Sequence, residues 1–118
     1  MPLFIVTLTH HDGDGWHQQL VPHVAYLEDL VTRGVLKAAG PLKGTPKRSG
    51  FLIFSAADRE AASALVAGDP FAIHGVNEAV SITEWDPVFG NFADASSGEL
   101  PGFGRVGERA SLPLVGRD

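Results

Sequence analysis

The chain has no cysteine, which excludes disulfides, thiolate metal ligands and thiol nucleophiles. It is also poor in positive charge: 9 Lys and Arg stand against 14 Asp and Glu, giving a formal net charge of -5. The basic residues are scattered, whereas a surface that tracks phosphates needs clustered cations, so no nucleic-acid partner is expected. No apolar run approaches the length that crosses a bilayer, and no basic segment leads an apolar one at the start of the chain. Neither a membrane span nor a secretory signal is expected, and the location is read as cytoplasmic. What remains is a composition of 118 residues, 44% hydrophobic and 19% charged, that describes one ordinary globular domain with a modest core. At this size, dimerisation is an effective way to complete the core.

The pattern of apolar residues divides the chain. Leu3 to Leu8 has the branched and aromatic composition of a buried strand, and the turn formers from Thr9 to Gly15 break it. From Trp16 to Arg33 the period is helical, with Leu20, Val24, Leu27 and Val31 on one face and His23 projecting on the same side between Leu27 and Leu30. Gly34 stops that helix. Val35 to Leu42 and Gly50 to Ser55 read as a hairpin, with Gly40 free of any side chain that would keep a ligand from the backbone. Asp58 is placed to cap a helix over Arg59 to Ala67, and Asn77 to Trp85 alternates as a last strand. The order βαββαβ is the ferredoxin-like α+β arrangement over residues 1–90. Residues 91–118 form a tail rich in Gly, Pro and Ser whose apolar residues, among them Leu112, Leu114 and Val115, would lie along a partner subunit or stay free.

The second helix runs into Ala67-Gly68-Asp69-Pro70-Phe71. Gly68 is expected in the left-handed conformation that commonly closes a helix, while Pro70 biases Asp69 to extended backbone. A carboxylate held in this way suits an orienting role. Because both helices of such a fold pack on one side of the sheet, His23 can meet it. A carboxylate on one ring nitrogen fixes the tautomer and frees the other nitrogen to take a proton; the alternative is a core-edge histidine bonded to a carbonyl.

Taken in order, Val21-Pro22-His23-Val24-Ala25-Tyr26-Leu27, Ala39-Gly40-Pro41, Asp69-Pro70-Phe71 with Gly75-Val76, and Trp85 to Phe89 resemble the YciI-like family of dimeric α+β barrels. The resemblance implies a homodimer and a presumed active site of a helix-borne His with the Asp of the Asp-Pro segment, here His23 and Asp69. It also implies a small-molecule lyase or isomerase, since some members remove HCl from chlorinated aromatics and related muconolactone-isomerase-like barrels shift protons on lactones. Val21 stands where members often carry Arg. No cofactor is implied. The apolar pocket that such chemistry needs would be lined by Phe4, Tyr26, Gly40 and Phe71, with His74 beside it and a backbone amide or Tyr26 stabilising an oxyanion. A non-catalytic small-molecule-binding protein and a cofactor-free oxygenase are the alternatives.

His10, His11, Asp12, Asp14 and His17 are of metal-ligating types, but their spacing matches no compact motif. They are read as a solvated loop flanking the pocket, with no metal expected. Lys47 and Arg48 read as surface charges, at most a minor anion contact.

Overall fold

In a computed structural model, which describes residues 1–106, strand β1 (Leu3–His10) lies between β3 (Ser49–Ser55) and β4 (Asn77–Trp85), with β2 (Leu36–Leu42) outside β3. Every neighbouring pair is antiparallel, in the order β2-β3-β1-β4. Two helices, α1 (Gly15–Thr32) and α2 (Arg59–Ala67), and a single turn, α3 (Pro70–Ile73), connect the strands. This is the ferredoxin-like α+β fold, with α3 added at the Asp-Pro segment.

Strand β1 runs to His10 rather than ending at Leu8. Thr9 pairs with Ser49 and Ala79 on its two sides, and pairing on both flanks outweighs the weak strand preference of the local sequence. The register with β4 then slips, so that His10 faces Asn77 and Glu78 is passed over. A bulge of this kind re-aims a side chain at the end of a ladder.

Alternation along β1 sends Phe4, Val6 and Leu8 toward the helices, where Val6 and Leu8 meet Leu36, Leu52, Phe54, Leu30 and Val66 in the main core and Phe4 meets Ala56 and Ala62. The buried face of α1 is rotated from the expected one. Leu30 is its fully buried residue, with Tyr26 and Leu27 packed beside it, whereas Val24 and Val31 are 44% and 55% exposed. Two registers of apolar residues overlap on this helix, and the aromatic and leucine side chains, with more area to bury, take the core. The helix ends as expected: Gly34 is at φ +75°, and the Val35 and Gly34 amides donate to the Leu30 and Val31 carbonyls.

Asp58 caps α2 through its carboxylate, which accepts the Ala61 amide at 2.8 Å. At the other end Gly68 is not left-handed: its φ of -80° and ψ of -9° are ordinary for any residue. Glycine is required there by space, since a Cβ at residue 68 would sit 2.7 Å from the Tyr26 hydroxyl. That hydroxyl is fixed in place by donating to the Leu65 carbonyl at 2.7 Å.

Residues Met1–Trp85 form one unit and the chain from Asp86 forms another. Among the described residues the second unit has a 3-10 turn at Ala93–Ala95 and a hairpin of β5 (Glu99–Leu100) and β6 (Gly104–Arg105). The Asp86 carboxylate accepts the Ser97 hydroxyl and, at 2.9 Å, the Ser97 amide, and the hydroxyl first and the amide second hold its pKa below the usual carboxylate range. Leu112, Leu114 and Val115 lie outside the described residues.

Gly68→Ala is expected to destabilise the fold by about 1–3 kcal/mol, the usual cost of overpacking, although alanine is the better helix former. In a Tyr26→Phe background the same change should cost clearly less, because the atom in the way is gone. Urea unfolding of the four proteins measures the coupling; simple additivity would show that the Tyr26 hydroxyl is not the obstacle.

Candidate active site

The Asp-Pro segment builds the site through a helix cap. Asp69 is extended, at φ -70° and ψ 134°, and Pro70 opens α3 at the position where its missing amide costs nothing. The Asp69 carboxylate accepts the Phe71 amide at 2.9 Å, so the side chain is locked by the turn that follows it. The same carboxylate, 4% exposed, lies 2.8 Å through both oxygens from Nδ1 of His23, whose side chain is 12% exposed. A carboxylate only accepts, so the proton between them sits on Nδ1. On the neutral ring Nε2 then carries the lone pair, and it has no protein partner among the described residues.

Phe71 closes this arrangement from above. Its ring stacks on the His23 ring with centroids 3.8 Å apart and planes 2° from parallel. One residue therefore holds both members of the pair, the carboxylate by its amide and the imidazole by its ring. His10 meets the edge of Phe71 at 5.0 Å, and Trp16 lies 6.4 Å away.

His23, His10 and Phe71 share a cavity of about 490 Å³. Its walls are mainly apolar, with Leu8, Leu20, Val24, Leu27 and Trp16 on one side and the β2–β3 hairpin, including Gly40, Pro41, Arg48 and Phe51, on the other. An added Cβ at Gly40 would meet no atom within 4 Å, so protein packing does not demand glycine there.

Three residues expected in the pocket are elsewhere. Phe4 is 1% exposed in a separate cluster with Ala56 and Ala62, because its place on β1 puts it under α2. Tyr26 packs against the main core and spends its hydroxyl on the Leu65 carbonyl, so it is not available to an oxyanion. Burial there pushes the phenol's pKa up. His74 is exposed at the end of α3, with its amide bonded to the Pro70 carbonyl.

His10 was assigned to a solvated loop and is instead 5% exposed at the cavity. Its Nδ1 lies 3.1 Å from Oδ1 of Asn77, across the bulge. Burial lowers the His10 pKa; the Asn77 bond opposes this, His23 and Arg48 lower it further and Asp69 raises it. The other loop residues do not converge. His11 is an exposed partner of Glu78 at 3.5 Å, and no group of three or more ligating side chains able to hold a metal occurs among the described residues. The signal that would have found His10 is its parity with Phe4, Val6 and Leu8, which only matters once the strand is known to reach it.

Comparison with known proteins bears on the whole first unit. The YCII-related domain matches residues 4–86. No curated protein matches the chain. Among solved structures, 5-chloro-2-hydroxyhydroquinone dehydrochlorinase (TftG) from Burkholderia phenoliruptrix, in complex with 2,5-dihydroxybenzoquinone, is 25% identical, with a TM-score of 0.62 over 71% of this chain and 93% of that one. A NIPSNAP domain protein from Burkholderia xenovorans is 15% identical, with a TM-score of 0.49 over 74% and 94% of the two chains. SnoaB, a cofactor-independent oxygenase from Streptomyces nogalater, is 10% identical, with a TM-score of 0.41 over 70% and 88%.

The His10 environment makes stability depend on pH. A histidine whose folded pKa is lowered binds fewer protons folded than unfolded as pH falls below its ordinary value of about 6.5, so stability is lost in that direction. Relative to His10→Gln, the natural protein should lose stability faster between about pH 7 and pH 5, by at most about 1.4 kcal/mol per pH unit. Urea midpoints across that range measure the difference, and parallel curves would contradict it.

Proposed function

The chain belongs to the YCII-related, or YciI-like, domain family, and from that premise we propose that it is a small-molecule lyase or isomerase in which His23 is the general base and Asp69 its orienter. A lyase-like role on a small molecule is supported at the level of the family and of the dehydrochlorinase it is similar to. The observation that carries the residue assignment is the His23 ring itself: Nδ1 held by a buried carboxylate, Nε2 left free, and the ring lining an apolar cavity.

In this reading the substrate is a chlorinated hydroxyaromatic in its keto tautomer, or a lactone with an acidic C–H. For elimination, Nε2 of His23 takes a hydroxyl proton of the substrate. The released O–H electron pair becomes a carbonyl π bond, the ring electrons shift, and chloride departs with the C–Cl pair. The imidazolium then returns its proton to water, so one HCl leaves for each quinone formed. Asp69 stays ionised and balances the charge on the imidazolium. For a lactone, the same nitrogen would move a proton from one carbon to another. An oxyanion formed on the way would rely on backbone amides or on cations at the cavity, since Tyr26 is occupied.

A cytoplasmic homodimer is the setting we propose for this chemistry. The helices cover one face of the sheet, and Ile5, Thr7 and Thr83 fall on the other by register. A second copy would cover that face. Light scattering at micromolar concentration should give the mass of a dimer, and a monomeric mass would remove this element of the proposal.

The reaction is tested with a panel of chlorinated hydroquinones and lactones, following chloride release, absorbance and oxygen uptake together. His23→Asn should lower turnover by roughly 10²–10⁴-fold, the usual worth of a positioned base. Asp69→Asn should lower it about as far while shifting the pH profile, because the tautomer is no longer fixed. Full activity in folded His23→Asn would take this residue out of the mechanism, and oxygen uptake without chloride release would favour the oxygenase alternative.

A further inference from the structure

Arg48 is the cation that lines the cavity, and like Lys37, Lys43 and Arg59 it makes no ion pair among the described residues. Lys47 is bound to Glu78 at 2.5 Å, Arg33 to Asp29 at 3.3 Å and Arg105 to Glu99 at 3.5 Å. Arg48 has no carboxylate within ion-pair distance among the described residues. Its guanidinium carbon lies 4.5 Å over the Trp16 ring, and among the described residues its polar side-chain contact is with Nε2 of His17, at the limiting distance of 3.5 Å. The backbone is fixed as well, since the Arg48 carbonyl accepts the His10 amide at 2.9 Å.

A guanidinium stacked on an indole has its face covered and its rim of N–H donors free. That rim matches a planar, conjugated oxyanion, to which it can donate two parallel hydrogen bonds. No acidic side chain is among the described residues that line the cavity, and the Asp69 carboxylate bonded to His23 has both oxygens committed to His23 and Phe71. The remaining wall is aromatic and aliphatic, suited to a ring. The protein's formal charge of -5 would repel an anion at a distance, so a cation at the cavity is what could hold one there.

We propose that Arg48 makes this cavity selective for a planar aromatic or enolic anion, pairing with its negative oxygen while the ring lies against the apolar wall. The inference deepens the function proposed above by stating the charge of its substrate and assigning a specificity residue. It does not require that the bound molecule react.

The test uses a pair of probes of nearly equal shape, 4-nitrophenolate and its neutral ether 4-nitroanisole, at about pH 8.5, where an ordinary imidazole is uncharged. Calorimetric titration of the natural protein should give at least tenfold tighter binding of the phenolate. Arg48→Met should lose about tenfold for the phenolate and nothing for the ether, with Arg48→Lys in between. The visible phenolate band supplies a second readout: the bound phenol should ionise at lower pH than the free one in the natural protein and not in Arg48→Met. Circular dichroism checks that the variants fold. Equal affinities for the two probes, an unchanged Arg48→Met, or no binding of either probe would overturn the inference. Selective phenolate binding by a protein that turns over no member of the substrate panel would sink the proposed reaction and leave the Arg48 assignment standing.

Discussion

Burying a carboxylate is costly unless its oxygens are satisfied, and Asp69 is almost fully buried. Two donors make that possible, the Phe71 amide at 2.9 Å and the His23 ring at 2.8 Å. The first is local and follows from the chain: an Asp before Pro, extended, with the next helix turn offering its free amides. The second comes from α1, 46 residues earlier, and is what ties α3 to the rest of the unit. Removing either partner would leave charge without its counterpart in a place that water does not reach freely. The geometry of the site is therefore also a condition of its stability, and the orientation of His23 is fixed before any ligand arrives.

Local chemistry explains which parts of this arrangement were legible in the sequence. The Asp58 cap, the Gly34 stop and the extended backbone of Asp69 each depend on residues adjacent in the chain, and each is found where the sequence puts it. The four strands and two long helices are similarly legible, because their apolar periods are set within one element. Gly68 was misread for a physical reason: glycine serves both left-handed backbone and close approach, and only the distant Tyr26 hydroxyl decides between them. The face of α1 was misread in the same way. Val24 and Val31 complete a valid apolar stripe on paper, and three-dimensional competition with Tyr26 and Leu30 turns them outward.

The pocket was less legible than the pair at its edge. Gly40 and Phe71 are in its lining, Phe4, Tyr26 and His74 are not, and its wall also holds His10, Trp16 and Arg48. His10, Trp16 and Arg48 each sit within two positions of an element boundary or in a turn. A shift of one residue there moves a side chain from solvent to interior. His10 is the clearest case, since a strand two residues longer and a bulge at Glu78 convert a loop imidazole into a buried one.

That conversion leaves two imidazoles against one phenyl ring, His23 on its face and His10 at its edge. Their surroundings differ. His23 has the Asp69 carboxylate on Nδ1. His10 sits in a low-dielectric site that disfavours charge, the Asn77 amide opposes this, and the neighbouring His23 disfavours charge further. In the proposed reaction the proton of the bound molecule goes to His23, and His10, disfavoured as a cation by its burial, is left to donate or accept a hydrogen bond. Two residues of one type acquire different roles because one faces Asp69 and the other Asn77.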